Sequence, residues 1–203
     1  MGKVAIRTYE PSQCVVFLKT QETFGGLSNM AGGYPIVVNG TRLLTSEALY
    51  QACRFPSSPD VQRLIISQTS PMTAKMKSKP FLAGTRNDWL RVRVRIMRWC
   101  LACKLVQNRD KFSSLLLKTE RLSIVEQSRK DTFWGAVPDG QGNLIGANVL
   151  GRLLMELRES IYSEVEITEV KPLEIDNFFL FGEPIGTVNF REGSETYPMD
   201  SLF

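Results

Sequence analysis

At 203 residues, with 43% hydrophobic and 23% charged residues, the chain has room for one packed core and the composition of a folded globular protein. Its net charge of +4 admits an anionic partner such as a phosphate or nucleic acid without requiring one. The complete absence of histidine is more restrictive: Ser-His-Asp triads, Cys-His dyads, H-E-x-x-H zinc sites and His-containing zinc deaminase signatures are all excluded. Catalysis would have to rest on carboxylates, lysines, hydroxyls, a thiol or backbone dipoles.

In chain order, Met1 to Glu10 carry no apolar leader core, and no apolar run approaches a membrane span, so a cytoplasmic protein is expected. Residues 14–18 and 35–38 read as short strands separated by a loop with Gly25, Gly26, Gly32 and Gly33, and Asn39-Gly40 marks a tight turn. Thr45 and Ser46 then cap a helix that carries Glu47 in its first turn and runs to Phe55, where Pro56-Ser57-Ser58-Pro59 ends it. Residues 60–67 and 71–79 read as two more short helices, the second opened by Pro71.

Asn87-Asp88 looks like the cap of the clearest helix, in which Trp89, Val92, Ile96, Trp99 and Cys103 form one apolar stripe. Arg91, Arg95 and Arg98 form a basic stripe on another face, better read as solvated than as a phosphate contact. Leu115–Leu117 belong to a further helical segment, and a last helix runs from about Asn148 to Ile161. Residues 164–170 and 177–190, rich in β-branched and aromatic types, read as strands packed on the main body. The four cysteines, Cys14, Cys53, Cys100 and Cys103, are too few and scattered for a disulfide framework. The Cys100-x-x-Cys103 pair sits within a helix and reads as small buried apolar residues in a reducing compartment, with no metal or cofactor. The fold class expected is α+β: a mostly helical single domain over 1–203 with a small β-sheet, a core at about 15–162 and a β-rich C-terminal extension over 163–203.

Four segments combine polar residues with tight backbone. Gly25-Gly26-Leu27-Ser28-Asn29-Met30 suits a ribose or phosphate cradle, although a plain turn has the same composition. In the helix after Thr45, Glu47, Tyr50, Gln51 and Arg54 recur at helical spacing, bringing a carboxylate, a phenol, an amide and a guanidinium towards one surface. Lys75, Lys77 and Lys79 form a dense basic run that is either a solvated face or the setting of a reactive lysine, whose free pKa of about 10.4 neighbouring positive charge would lower. Asp131-Thr132-Phe133-Trp134-Gly135, followed by a Gly/Asn-rich loop to Asn148, places an aromatic where it can stack on a planar base; the competing reading is a core Trp with a capping Asp.

Taken together and in order, these segments resemble the NADAR/YbiA family. The matching pieces are Leu27-Ser28-Asn29; Thr45-Ser46-Glu47 with Tyr50-Gln51-Ala52 and Arg54-Phe55; Ser70-Pro71 with Ala74-Lys75; Asp131 with Phe133-Trp134-Gly135; and Asn148-x-Leu150-Gly151 running into Leu154-Met155-x-Leu157-Arg158. The resemblance covers roughly residues 15–162. It implies an N-glycosidase that cuts ribose C1 from an exocyclic nitrogen, on one of two substrates: ADP-ribose attached to guanine in DNA, or a ribosylamino-pyrimidine phosphate of riboflavin synthesis. Three departures from the family's pattern stand out: Ala48 where His is common, a longer loop from Gly135 to Asn148, and a tail from about residue 163 without a counterpart. The last two favour the larger substrate, hence an antitoxin role with a DarT-type ADP-ribosyltransferase as functional partner. A non-catalytic ADP-ribose reader is the alternative from another functional class. On the resemblance, Glu47, Lys75 and Asp131 are the expected catalytic residues. Ser28, Asn29, Tyr50, Arg54, Trp134, Gly135 and Asn148 are expected to bind substrate.

Overall fold

A computed structural model describes residues 4–163 and 167–190, so the outer parts of the expected extension, 164–166 and 191–203, lie outside the described residues, as do residues 1–3. The fold class is the α+β arrangement expected. Strands β1 (Arg7–Tyr9), β2 (Cys14–Phe17), β3 (Ile36–Val38) and β4 (Thr41–Leu43) precede helices α1 (Ser46–Ala52), α2 (Pro59–Ile66), α3 (Pro71–Ser78), α4 (Trp89–Gln107) and α5 (Arg109–Leu117). After these come β5 (Ser123–Glu126), β6 (Val137–Pro138), β7 (Leu144–Gly146) and α6 (Val149–Tyr162).

The small sheet of the sequence reading is several short ladders. β2 pairs with β5 in parallel, in register from Cys14 opposite Ser123 to Phe17 opposite Glu126. β1 joins the β6–β7 hairpin antiparallel. β3 and β4 form a hairpin closed by Asn39 and Gly40, both at positive φ (48° and 75°), the backbone that an Asn-Gly turn supplies. The loop 135–148 is thus the β6–β7 hairpin and its connections, laid against β1.

Helix α4 is the axis of the core. The sequence shows one apolar stripe, but from Ile96 to Val106 the helix is buried on more than that stripe. The reason is the segment 167–190, which crosses it. The Trp99 Nε1 donates to Lys171 O at 2.9 Å, and the Trp99 ring meets Phe178 edge-on at 5.0 Å between centroids. Short pairs β8 (Glu169–Val170) with β11 (Val188–Asn189) and β9 (Phe179–Leu180) with β10 (Glu183–Pro184) hold this segment together. Fully buried Gln62 of α2 fastens it from below: its Nε2 donates to Ala52 O and Phe179 O, and its Oε1 accepts from Phe181 N.

One local expectation changes. Asp88 does not cap α4 with its side chain; its carboxylate is held by Arg86, whose Nε lies 2.5 Å from Oδ1. Arg86 in turn donates to Asp176 O and Asn177 O, so this pair ties the start of α4 to the C-terminal segment. The basic stripe of α4 is solvated and paired, as the blander reading had it. Arg91 pairs with Asp88, Arg95 donates to Glu174 O, and Arg98 pairs with Glu156 at 2.9 Å.

Candidate active site

The site is built around α1. Thr45 is its N-cap, its hydroxyl accepting from Ala48 N at 3.2 Å, and the whole helix is buried. The turn at 25–29 docks onto its first residues: Asn29 O accepts from Glu47 N (2.9 Å) and from Ser46 Oγ (3.0 Å). That docking sets Glu47 side-on to Asn29, whose Nδ2 donates to one carboxylate oxygen, while Gln51 Nε2, one turn along α1, donates to the other at 2.9 Å. Ser78 of α3 donates to Gln51 Oε1 at 3.3 Å, tying the lysine-bearing helix to the same network.

The turn itself is clamped from behind. Lys104 of α4, fully buried, donates to Gly26 O (2.6 Å) and Ser28 O (3.0 Å) and lies over the rings of Tyr34 and Phe112. Ser28 uses its hydroxyl to accept from Met30 N. The cradle read at 25–30 is therefore a positioned turn in which Asn29 reaches the carboxylate and Ser28 serves the backbone.

A second carboxylate, absent from the sequence reading, completes the floor. Glu126 ends β5, and it feels the charges of Glu47 and of Lys75, the lysine that also acts on Glu47. Burial first, then the charges of Glu47 and Asp131, push its carboxyl from an ordinary 4.5 up to about 7, with Lys75 pulling the other way. Burial also pushes Glu47 above its ordinary value, opposed by the charge of Lys75 and by the Gln51 and Asn29 amides. Lys75 is exposed on α3, so its ammonium reaches both acids from the solvent side. The signal for Glu126 was a short one: Ile124-Val125, a β-branched pair ending in an acid, with too few residues to show a strand's alternation.

Asn148 explains how Glu126 is held. It sits fully buried at the start of α6 with φ 49°, a left-handed conformation that Asn tolerates better than most residues. Its Nδ2 donates to Ile124 O (2.8 Å) and its Oδ1 accepts from Glu126 N (3.1 Å), so both ends of the amide grip β5. Gly135 likewise works through the backbone, because a Cβ there would lie 2.5 Å from Glu126 O. The structure thus puts Asn148 and Gly135 around the backbone of Glu126, and gives neither a side chain that opens onto the acids.

Asp131 is exposed, and its Oδ1 accepts from both Phe133 N and Trp134 N at 2.9 Å, so it caps the turn that presents those rings. Its charge nevertheless reaches Glu126. The rim is aromatic. Tyr50, one turn beyond Glu47, meets Trp89 at 4.9 Å and Trp134 edge-on at 5.6 Å, and Trp134 meets Phe133 at 5.1 Å. Burial, then the Glu47 charge, push the Tyr50 phenol well above its ordinary value, so it stays a hydrogen-bond donor. Arg54 lies over Trp89, and its Nε donates to Thr85 Oγ1 at 2.9 Å.

Chemically this is a pair of carboxylic groups shielded by burial, with a lysine on the exposed side and a wall of aromatic rings set edge-on or tilted to one another, which suits proton transfer next to a planar heterocycle. Comparisons with known proteins agree. The sequence profile of the NADAR domain matches residues 16–162. The chain is 35% identical over 151 residues to the N-glycosidase YbiA of Escherichia coli strain K12, covering 73% of this chain and 88% of that protein. It is 32% identical over 158 residues to the N-glycosidase Npun_R5314 of Nostoc punctiforme, covering 77% of this chain and 97% of that one. It is also 32% identical over 158 residues to a riboflavin biosynthesis protein of Vibrio vulnificus, of which it covers 41%. In structure it is similar to the NMR structure of Escherichia coli YbiA, with a TM-score of 0.63 and 32% identity over 76% of this chain and 92% of that one. The chain therefore belongs to the NADAR family, and is a hydrolase acting on N-glycosyl bonds.

Proposed function

We propose that this enzyme cuts ribose C1 from an exocyclic nitrogen, and that its substrate is ADP-ribose attached to guanine in DNA. The observation that carries the choice of substrate is the face around Lys75. Between Asp60 and Asp88 the chain holds no acid, and Lys75, Lys77 and Lys79 are all exposed there. Beside them Met72 (56% exposed), Met76 (57%), Phe81 (38%) and Leu82 (44%) are left uncovered. Positive charge interleaved with apolar surface suits a strand whose backbone is anionic and whose bases stack. The longer loop and the described part of the tail, 167–190, give no such support, since one lies against β1 and the other packs on α2 and α4. On this reading a DarT-type ADP-ribosyltransferase lays down the substrate, and the enzyme acts as its antitoxin in the cytoplasm.

In the mechanism proposed, the ribose ring opens so that C1 and the exocyclic nitrogen form an imine. The Lys75 amine adds to C1 as a new C–N bond forms; the bond from C1 to the heterocycle nitrogen breaks, and that nitrogen leaves with a proton from Glu126. Water then hydrolyses the Lys75 imine, with Glu47 taking a proton from it and Glu126 reprotonated. Asp131 holds the Phe133–Trp134 turn and tunes Glu126, and Tyr50 and Trp134 form the wall against which the base lies.

A second reading, hydrolysis of a ribosylamino-pyrimidine phosphate, is favoured by the riboflavin biosynthesis proteins among the relatives. A side-by-side assay tests both. Single-stranded DNA carrying ADP-ribosyl-guanine and a ribosylamino-pyrimidine phosphate are each incubated with the enzyme and with Glu47→Gln. Release of ADP-ribose from DNA, lost in the variant, is the expected result; cleavage of the pyrimidine riboside alone transfers the assignment to the second reading. Borohydride added during turnover should fix a sugar adduct that Lys75→Ala lacks, and an active enzyme without an adduct would leave direct attack by water on an oxocarbenium-like C1.

A further inference from the structure

Four arginines lie along the first half of α4, and three of them have acceptors; Arg93 is the exception. Among the described residues it makes no ion pair and no hydrogen bond, and its Nε is buried without a partner. Its guanidinium carbon lies over the Phe133 ring, 3.8 Å from the centroid. Arg54, which follows α1, is also without an acidic partner among the described residues. Its Nε bonds Thr85, and its plane lies over Trp89 at 5.3 Å and Phe55 at 5.9 Å. The two cations are close enough that the charge of Arg93 bears on Arg54, and both bear on Tyr50, which also feels Glu47.

The rings join them. Trp89, Tyr50, Trp134 and Phe133 form a continuous series of contacts, with Arg54 stacked on one end and Arg93 on the other. With Arg54 Nε taken by Thr85 and Arg93 Nε buried, the donors left for a ligand are the terminal Nη groups, and arginine takes phosphate oxygens through such paired N–H groups. Two like charges, half-buried together and without a counter-ion, destabilise each other and the fold. Such an arrangement is relieved by a ligand that carries negative charge to that place.

We propose that Arg54 and Arg93 form a phosphate seat at the aromatic rim, one that takes the phosphate monoester or diphosphate on the ribose 5′ side of the substrate. The inference rests on the reading of the site as an N-ribosidase and adds Arg93 as a binding residue. A ribose whose C1 faces the two carboxylic groups would have its 5′ substituent held at the rim by the two forks. The seat makes the charge at that end a condition of tight binding, while the α3 lysines serve the strand on the base side.

The test is a binding titration that needs no turnover. Ribose, ribose 5-phosphate and ADP-ribose are titrated calorimetrically into the wild type, Arg93→Gln and Arg93→Lys, each first checked for an unchanged circular dichroism spectrum and unfolding midpoint. Ribose 5-phosphate or ADP-ribose should bind the wild type more tightly than ribose does. Arg93→Gln should weaken the anion roughly ten- to hundredfold, Arg93→Lys should recover part of the loss, and ribose should be unaffected by either. Binding of ribose 5-phosphate alone would identify a monoester seat, and of ADP-ribose alone a diphosphate seat; both support the inference. Folded variants that bind both anions as tightly as the wild type would overturn it. Arg93-dependent anion binding by a protein that hydrolyses neither N-riboside would leave the seat standing and remove the substrate reading. Hydrolysis of the phosphorylated substrate with unchanged KM in Arg93→Gln would do the reverse.

Discussion

Two lysines act on Glu47 by different routes, and their surroundings differ in every respect. Lys104 is sealed inside α4 with two carbonyl acceptors and two aromatic faces, and it fixes the turn that carries Asn29 to the carboxylate. Lys75 is exposed on α3 and reaches Glu47 and Glu126 only through its charge. A buried cation with its donors met is a framework part, because any movement would strand carbonyls in a dry place. An exposed cation near two acids shielded by burial, with no side-chain hydrogen bond or ion pair among the described residues, is open to meet a ligand. The same residue type is thus a buried framework part in one region and, on the mechanism proposed, the reactive group in the other, and sequence composition alone does not separate them.

Substitution can break that distinction or sharpen it. The largest effect is expected at the chemical lysine and its acid. Lys75→Ala and Glu47→Gln should each lower kcat by roughly 10²–10⁴-fold in the hydrolysis assay. For Lys75→Ala, chemical denaturation should show a stability within about 0.5 kcal/mol of the wild type, as for most surface changes. Lys104→Met should behave oppositely. Leaving two buried carbonyls unmet is expected to cost about 2–4 kcal/mol of unfolding free energy, measured by urea titration, and the activity that remains should follow the folded fraction.

A smaller, pH-dependent effect belongs to Glu126. Because its folded value of about 7 lies above its ordinary 4.5, the folded state favours the protonated form. Its contribution to stability is full below 4.5 and is lost as the pH rises through 7. Glu126→Gln should thus be more stable than the wild type at pH 8 and lose that advantage at pH 4 in paired denaturation curves. The alkaline fall in kcat near neutrality should disappear in the same variant, at a lower plateau. The smallest effect is expected at Arg98→Ala: its pair with Glu156 is half-exposed on both sides, and the unfolding free energy should move by no more than about 0.5 kcal/mol.

Much of the scaffold was legible in the sequence because it is punctuated: Thr45 before α1, Pro71 opening α3, and Asn39-Gly40 between β3 and β4, whereas Pro59, read as part of the stop after α1, opens α2. Of the candidate site, Glu47, Tyr50 and Arg54 around α1 and Lys75 on α3 could be proposed from the sequence, because well-marked elements carry them. Glu126 was not, because a four-residue parallel strand buried on both sides shows no alternation. Arg93 was hidden among its neighbours. Four basic residues in eight positions of one helix look alike until the partners of the other three, Asp88, Glu174 and Glu156, are known, and of these only Asp88 is local; Glu174 and Glu156 are brought in by tertiary contacts. Asn148 was expected to bind substrate on the family resemblance, and nothing local in the sequence signals that its amide grips the β5 backbone.

That grip bears on how the molecule meets its own copies. Ile124 O and Glu126 N are groups that the unpaired side of β5 would offer to an incoming strand, and the Asn148 amide takes both. Gly151 lets α6 close over the same strand, where a Cβ would lie 2.1 Å from Ile124 O. The β2–β5 ladder is thereby closed to extension along that margin, and a crowded solution of the protein has no template there from which edge-to-edge aggregation could grow.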